Sequence, residues 1–228
     1  MDIQTLEFNV AYDRYYNEIQ NSLFPNIEIL EVGGGAHPSL TERVELSYTI
    51  ADPDENELEK APNDVIKKNA SVETLNPTQQ YDLILTKMVL EHVKNPEAFH
   101  QKIFDLLKFD GKVIHFFACR NSMPSLVNRF ISEEFGNRIL KWIGNRDLND
   151  SPKYPAYYLK TKGYNRGQFN FFTGQGFSIK KYHSFVGHKY FKKIPVLGAL
   201  ERLYSKVLLL LGLRCMATVA LVVLVKDT

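Results

Sequence analysis

The stretch IEILEVGGGAHPS, residues 27–39, decides the fold of this chain. IEILEV (27–32) is short and almost wholly apolar, which is the pattern of a strand buried on both faces of a parallel sheet. It runs straight into Gly33, Gly34 and Gly35, where the lack of a Cβ permits a tight turn and a close approach of backbone to a ligand. A second strand, VELSYTIAD (44–52), ends in an acid, and YDLILTKMV (81–89) is another continuous apolar run. PEAFHQKIFDLLK (96–108) opens with proline and has helical spacing, with Asp110-Gly111 closing it, and KVIHFFAC (112–119) returns to strand. Strands alternating with helices in this way predict an open, mostly parallel α/β sheet.

Outward from this centre, residues 5–24 have Leu6, Val10, Tyr15, Ile19 and Leu23 close to one helical face, and a weak strand falls near Val65–Ile66. Residues 123–143 have helical spacing, and a linker rich in Asn, Asp, Pro and Gly follows near 144–156. The spacing then predicts a helix near 166–173, a strand at 177–186 (FSIKKYHSFV), a helix at 195–211 and a final strand at 217–225. The apolar run 207–225 is about long enough to span a bilayer. Gly212 and Arg214 interrupt it, however, so it reads as the end of a helix, a turn and a buried strand.

The chain has 228 residues and a formal net charge of +2, which conceals a division. Residues 1–150 hold 15 Lys/Arg against 24 Asp/Glu, whereas residues 151–206 hold 11 Lys/Arg against one acid, Glu201. The basic segment also carries 13 of the 28 aromatic residues, so the acidic body and the basic part are expected to do different jobs. Two cysteines, Cys119 and Cys215, provide no disulfide framework or metal-ligand cluster. The acidic N-terminus is not a secretory signal, and these features together predict a cytoplasmic setting with no transmembrane span.

Ligands of open α/β sheets bind beyond the carboxyl ends of the strands, near the switch in strand order. A dinucleotide fingerprint needs glycine at position 38, where this chain has Pro38, and the Gly-Lys-Ser/Thr of a P-loop is absent. What stands there is Glu31 at one strand end, then glycines, then Asp52, 21 residues on, at the next strand end. That spacing suits a carboxylate accepting both ribose hydroxyls of an adenosine, with Glu31 near a cationic amino-acid group. The competing reading is a purely structural turn.

These residues resemble the class I S-adenosylmethionine-dependent methyltransferases of the small-molecule type. ILEVGGGAHPS, TIADPDENEL and YDLILTKMVLEHVKNPEAFHQKIFDLLKFDGKVI carry the resemblance, which covers roughly residues 25–120 well and the remainder by element order. His37 stands where the family has its third motif glycine, and Phe109-Asp110-Gly111 where it has Pro-Gly-Gly. The resemblance implies a single domain with a three-layer, Rossmann-like, seven-stranded sheet, mostly parallel with an antiparallel last strand. In that scheme 1–24 form a lid helix, 25–120 the cofactor core, 121–215 substrate-recognition elements and 216–228 the last strand. It implies S-adenosyl-L-methionine as cofactor and S-adenosyl-L-homocysteine as product. Glu31, Gly33, Gly34 and Gly35 would line the methionine end, Asp52 the ribose, and Pro53, Ser71 and Val72 the adenine. Thr86 and Lys87 would flank the methyl group. Tyr12, Tyr15 and Tyr16 would form part of the lid, unless they are core residues of an amphipathic helix.

In-line methyl transfer to a hydroxyl benefits from a general base, and His92, just after the fourth expected strand, is the candidate, either in that role or in orienting substrate. Its alternative is a structural histidine. His115 lies within a strand and is expected in the core, and Cys119 is read as a buried thiol. Elements after the fifth strand overlap the basic, aromatic region, so Tyr154, Tyr157, Tyr158, Arg166, Lys189, Tyr190 and Phe191 are expected near an acceptor. An anionic or amphiphilic small molecule or glycan fits this composition, with O-methylation by analogy to relatives. An RNA methyltransferase holding phosphates on the basic segment, and a non-catalytic cofactor-binding or membrane-peripheral module, are the competing functions.

Overall fold

A computed structural model of the protein describes residues 1–40, 47–123, 125, 154–188 and 195–227. All but Met123 and Ser125 of the expected helix at 123–143, most of the 144–156 linker, the start of the second strand, and Lys189, Tyr190 and Phe191 lie outside the described residues.

The described strands are β1 (Asp2–Glu7), β2 (Glu28–Val32), β3 (Ser47–Asp52), β4 (Ile66–Asn69), β5 (Tyr81–Lys87), β6 (Leu107–Ala118), β7 (Phe177–Val186) and β8 (Val219–Lys226). They form one sheet in the order β1-β7-β8-β6-β5-β2-β3-β4. All neighbours pair in parallel except β8, which is antiparallel to both β6 and β7. The order reverses between β2 and β5, which pair Val32 with Thr86 at their carboxyl ends. The crevice that such a reversal opens is therefore bordered by the glycine loop and the end of β5.

Alternation along the central strands explains why both faces are covered. Leu30, Ile84, Val113 and Phe117 face one core, while Ile29, Leu83, Leu85, Ile114 and Phe116 face the other. Helices α3 (Pro96–Leu106) and α4 (Arg166–Gly174) cover the first face through Phe99, Ile103, Phe171 and Phe172. Helices α1 (Ala11–Gln20) and α2 (Glu55–Glu59) cover the second through Ala11, Tyr15, Ile19 and Leu58. Asn95 and Asn165 fix the starts of α3 and α4, their side chains accepting from the N–H of Ala98 and Gln168. The helix α5 (Pro195–Leu210), the turn at Gly212 and β8 resolve the long apolar run as the sequence predicted. No described helix is long and apolar enough to cross a membrane.

The N-terminus differs from its expectation. The predicted helix begins at Ala11, and Asp2–Glu7 form an eighth strand beside β7, registered from Asp2 on Lys181 to Glu7 on Val186. The backbone hydrogen bonds of this pairing, absent from any local sequence pattern, outweigh the helical spacing of Leu6 and Val10. His183 is buried in the same pairing, with Nε2 2.8 Å from Asp2 Oδ2.

Candidate active site

The site is built where β2, β3 and β5 end. Gly33 has φ +71° and Gly35 φ +33°, conformations that L side chains rarely adopt. A Cβ on Gly33 would stand 2.6 Å from Val89 Cγ2, and one on Gly34 would stand 2.9 Å from Glu31 Cδ. The bare backbone is thus required on the protein side of the loop. Gly33 N–H donates to the Ala51 carbonyl at 2.8 Å, tying the loop to β3.

Glu31 lies under this loop and is fully buried. Ser39 N–H donates to its Oε2 at 2.8 Å, and Ser39 Oγ–H to its Oε1 at 2.6 Å. The Tyr48 hydroxyl donates to Oε2 as well. Tyr15 is also fully buried, with its hydroxyl 2.8 Å from Ser39 Oγ and its ring stacked on Phe116. The carboxyl group that the sequence set against the methionine end therefore closes the loop from beneath, and Tyr15 stands in that internal network. Tyr12 and Tyr16 are exposed on the same helix.

Asp52 ends β3 and is largely buried. Its carboxylate accepts the N–H of Asp54 at 2.9 Å and that of Gly35, which joins strand end and glycine loop. Burial is the main influence on this carboxyl and raises it above the usual range, with the neighbouring Asp54 and Glu57 charges adding to the effect. Asp52 O accepts from Ala70 N–H at 3.2 Å, so the turn carrying Ser71 and Val72 sits beside Asp52 and the exposed Pro53. Val72 itself turns its side chain into the core.

At the end of β5 the strand alternation separates two expected neighbours. Thr86 is fully buried, with Oγ1 2.8 Å from His115 Nδ1, and faces the core. Lys87 turns the other way: its Nζ donates to the His37 carbonyl at 2.8 Å and lies 5.9 Å from the centre of the Tyr16 ring. The glycine loop, the first helix and β5 meet there. His115 occupies the core as expected, and burial raises the Cys119 thiol well above its ordinary range, which leaves it inert as a nucleophile.

A strap of residues 154–158 crosses from the acidic side to the β5 side. The Tyr154 hydroxyl donates to Asp54 Oδ2 at 2.5 Å, and the N–H groups of Tyr157 and Tyr158 donate to the Glu91 carbonyl at 2.7 and 3.0 Å. His92 Nδ1 is 2.8 Å from the Pro155 carbonyl. A carbonyl only accepts, so Nδ1 carries a proton, which in the neutral ring leaves Nε2 as the acceptor nitrogen. Tyr157 and Tyr158 are thereby brought beside His92. Arg166 is exposed in the first turn of α4, which packs on β7, and Tyr190 lies outside the described residues.

Two residues here escaped the sequence reading. Asp54 caps α2, accepting from Asn56 and Glu57 N–H, while also holding Tyr154. Its position two residues after the ribose-type acid was a signal, but the partner 100 residues on was not. Glu91 is the other. It is buried, its Oε2 has no hydrogen-bond partner, and burial pushes its carboxyl up to about 7. In the unfolded chain the group titrates near 4.5, so the folded state holds the extra proton between these values. The resulting stability is fully present below about pH 4.5 and is lost as pH rises through about 7, by about 3 kcal/mol in all. Urea unfolding at pH 5 and pH 8 should show this loss in the wild type, and Glu91→Gln should remove that share of the pH dependence.

Comparison with known proteins identifies the family. A family model described as a methyltransferase domain matches residues 7–151, more than half of the chain. No curated protein sequence matches. Among solved structures, the chain is similar to magnesium protoporphyrin IX methyltransferase from Synechocystis PCC 6803 with bound S-adenosylhomocysteine, at 14% identity and a TM-score of 0.55, covering 96% of this chain and 82% of that one. It is also similar to the cyclopropane synthase MmaA2 of Mycobacterium tuberculosis, at 14% identity and a TM-score of 0.54, covering 94% and 82%. Phosphoethanolamine N-methyltransferase 2 of Haemonchus contortus, in complex with S-adenosylmethionine, matches at 14% identity and a TM-score of 0.55, covering 95% of this chain and 53% of that one. These likenesses establish the fold, while the matched family model and the strand-end motifs establish membership. The chain belongs to the methyltransferase-domain family and is a class I S-adenosylmethionine-dependent methyltransferase.

Proposed function

We propose that the protein transfers a methyl group to a hydroxyl of a small molecule or glycan, with His92 receiving or orienting the hydroxyl proton. The observation that carries this reading is the fixed imidazole: Nδ1–H is held by the Pro155 carbonyl, so Nε2 offers its lone pair at the carboxyl edge of the sheet. The named relatives include a porphyrin methyltransferase, a phosphoethanolamine N-methyltransferase and a cyclopropane synthase, so the fold serves several acceptors. The choice of a hydroxyl therefore rests on His92.

The site fits S-adenosylmethionine. Gly33, Gly34 and Gly35 let the loop backbone turn tightly against Val89, Glu31 and Asp52, and Asp52 is a strand-end carboxylate held by two backbone donors. In this reading Asp52 accepts the two ribose hydroxyls, while Pro53 and the Ser71–Val72 turn border the adenine. The glycine backbone meets the methionine end, with Glu31, Ser39 and Tyr15 acting through the loop they hold. Lys87 borders the methyl side and Thr86 supports the strand beneath it. When bound, the cofactor supplies an electrophilic methyl carbon on a sulfonium. The protein's own task is alignment and exclusion of water, and the 154–158 strap, with Tyr157 and Tyr158, provides a wall for both. Arg166 and Tyr190 are the basic and aromatic groups assigned to an anionic or amphiphilic acceptor.

A screen with methyl-labelled S-adenosylmethionine over phenols, sugars, carboxylates and amines tests the proposal. Label should move to a hydroxyl acceptor, and His92→Ala should lower kcat about 100-fold while leaving S-adenosylhomocysteine affinity within about twofold. Full activity in His92→Ala, or transfer confined to amines, would overturn it.

A further inference from the structure

Helix α5 keeps most of its circumference in solvent: of its 16 residues only Gly198 and Leu208 are buried. Its inner row is fixed to the body by three contacts. Glu201 Oε1 accepts the His188 N–H at 2.7 Å, Ser205 stands against Gly187, and Leu208 enters the core. On the outer side Val196, Leu200, Leu203, Val207 and Leu210 recur at alternating intervals of four and three, which makes one continuous stripe along a helix. Their exposures are 71%, 58%, 61%, 43% and 87%, and the exposed Leu197 and Leu211 widen the stripe. Scattered apolar side chains on a surface need no explanation, but a contiguous apolar row on an otherwise globular domain marks a contact surface.

The charges around the stripe select its occupant. Arg202 and Lys206, four residues apart and both exposed, run along one border. Glu201, the only acid between residues 151 and 206, is turned inward to His188. The outer face of α5 is therefore apolar at its centre and cationic at its margin, with no acid. A second copy laid against it would oppose these cations to their own equivalents, with no acid on that face to neutralise them. An anionic lipid surface accepts both features at once, apolar side chains below the headgroups and cations among them. We infer that α5 seats the protein in the plane of an anionic membrane surface through Val196, Leu200, Leu203, Val207 and Leu210, with Arg202 and Lys206 on the headgroups. With no described helix able to cross a bilayer, the contact is peripheral. This inference does not depend on the identity of the methyl acceptor.

Cosedimentation with vesicles tests it, using equal parts phosphatidylglycerol and phosphatidylcholine against phosphatidylcholine alone. The wild type should pellet with the anionic vesicles and several-fold less with the neutral ones, and added salt should weaken binding. Arg202→Gln/Lys206→Gln should lower partition to anionic vesicles about 30-fold, five- to sixfold for each cation. Leu203→Glu/Leu210→Glu should reduce it by about 100-fold or more. Both pairs are exposed, and unchanged S-adenosylhomocysteine binding and thermal unfolding report that the variants fold. Absence of pelleting with either vesicle, or pelleting unaffected by Leu203→Glu/Leu210→Glu, overturns the inference. So does a concentration-dependent dimer that this double variant abolishes while vesicles fail to bind, which would assign the stripe to a second copy.

Discussion

Asp52→Ala is expected to weaken S-adenosylhomocysteine binding about 100-fold, measured by isothermal titration calorimetry. The carboxylate stands where β3 ends, joined to the glycine loop through Gly35 N–H and to the following turn through Asp54 N–H. In the proposed function this carboxylate accepts two ribose hydroxyls, and hydrogen bonds to a charged group contribute about 1.5–3 kcal/mol each. Water replaces part of this in the free protein, leaving a net of about 3 kcal/mol, which is about two decades of affinity. Asp52→Asn keeps one acceptor oxygen and should lose about tenfold. Unaltered affinity in Asp52→Ala would displace the ribose from this strand end.

Glu31→Ala should show the opposite balance, destabilising the fold by about 4 kcal/mol in urea unfolding. Three donors converge on this buried carboxyl group: Ser39 N–H, the Ser39 hydroxyl and the Tyr48 hydroxyl. Truncation removes the shared acceptor and opens a cavity between the loop and the core, and each buried donor left unsatisfied costs about 1–3 kcal/mol. Glu31→Gln fills the space but presents an amide N–H₂ to donors, so an intermediate loss of about 2 kcal/mol is expected. The Tyr15 hydroxyl is linked to the same centre through Ser39 Oγ, so the first helix should loosen together with the loop. A change below about 1 kcal/mol in Glu31→Ala would mean that the network does not hold the loop.

The contrast between these two acids explains what the sequence made visible. Both stand at strand ends, and strand ends were readable because IEILEV, VELSYTIAD and YDLILTKMV carry strong local patterns. Their roles depend on which way each side chain points and on Ser39 and Tyr48, whose arrival at Glu31 is set by the path of the loop. The same limit applies at β5. Thr86 and Lys87 are adjacent in sequence, yet strand alternation sends one to His115 and the other to the His37 carbonyl. The resemblance had set both beside the methyl group. The pairing of β1 with β7 joins residues about 180 positions apart, so DIQTLE offered no local sign of a strand strong enough to displace a helix. The 154–158 strap is held by the Glu91 carbonyl, an acceptor that every residue type offers, and by the long-range pairs His92–Pro155 and Tyr154–Asp54, which no local pattern announces. The basic, aromatic character of its surroundings was legible, whereas its docking on His92 was not.

The proposed cofactor position is the carboxyl edge between Asp52 and the strap. A crystal structure of the protein with S-adenosylhomocysteine tests this most directly. Both ribose hydroxyls should lie within hydrogen-bond distance of the Asp52 carboxylate, with the amino-acid end on the Gly33–Gly35 backbone and the sulfur facing the His92 edge. An adenosine bound elsewhere, or a ribose out of reach of Asp52, would contradict it.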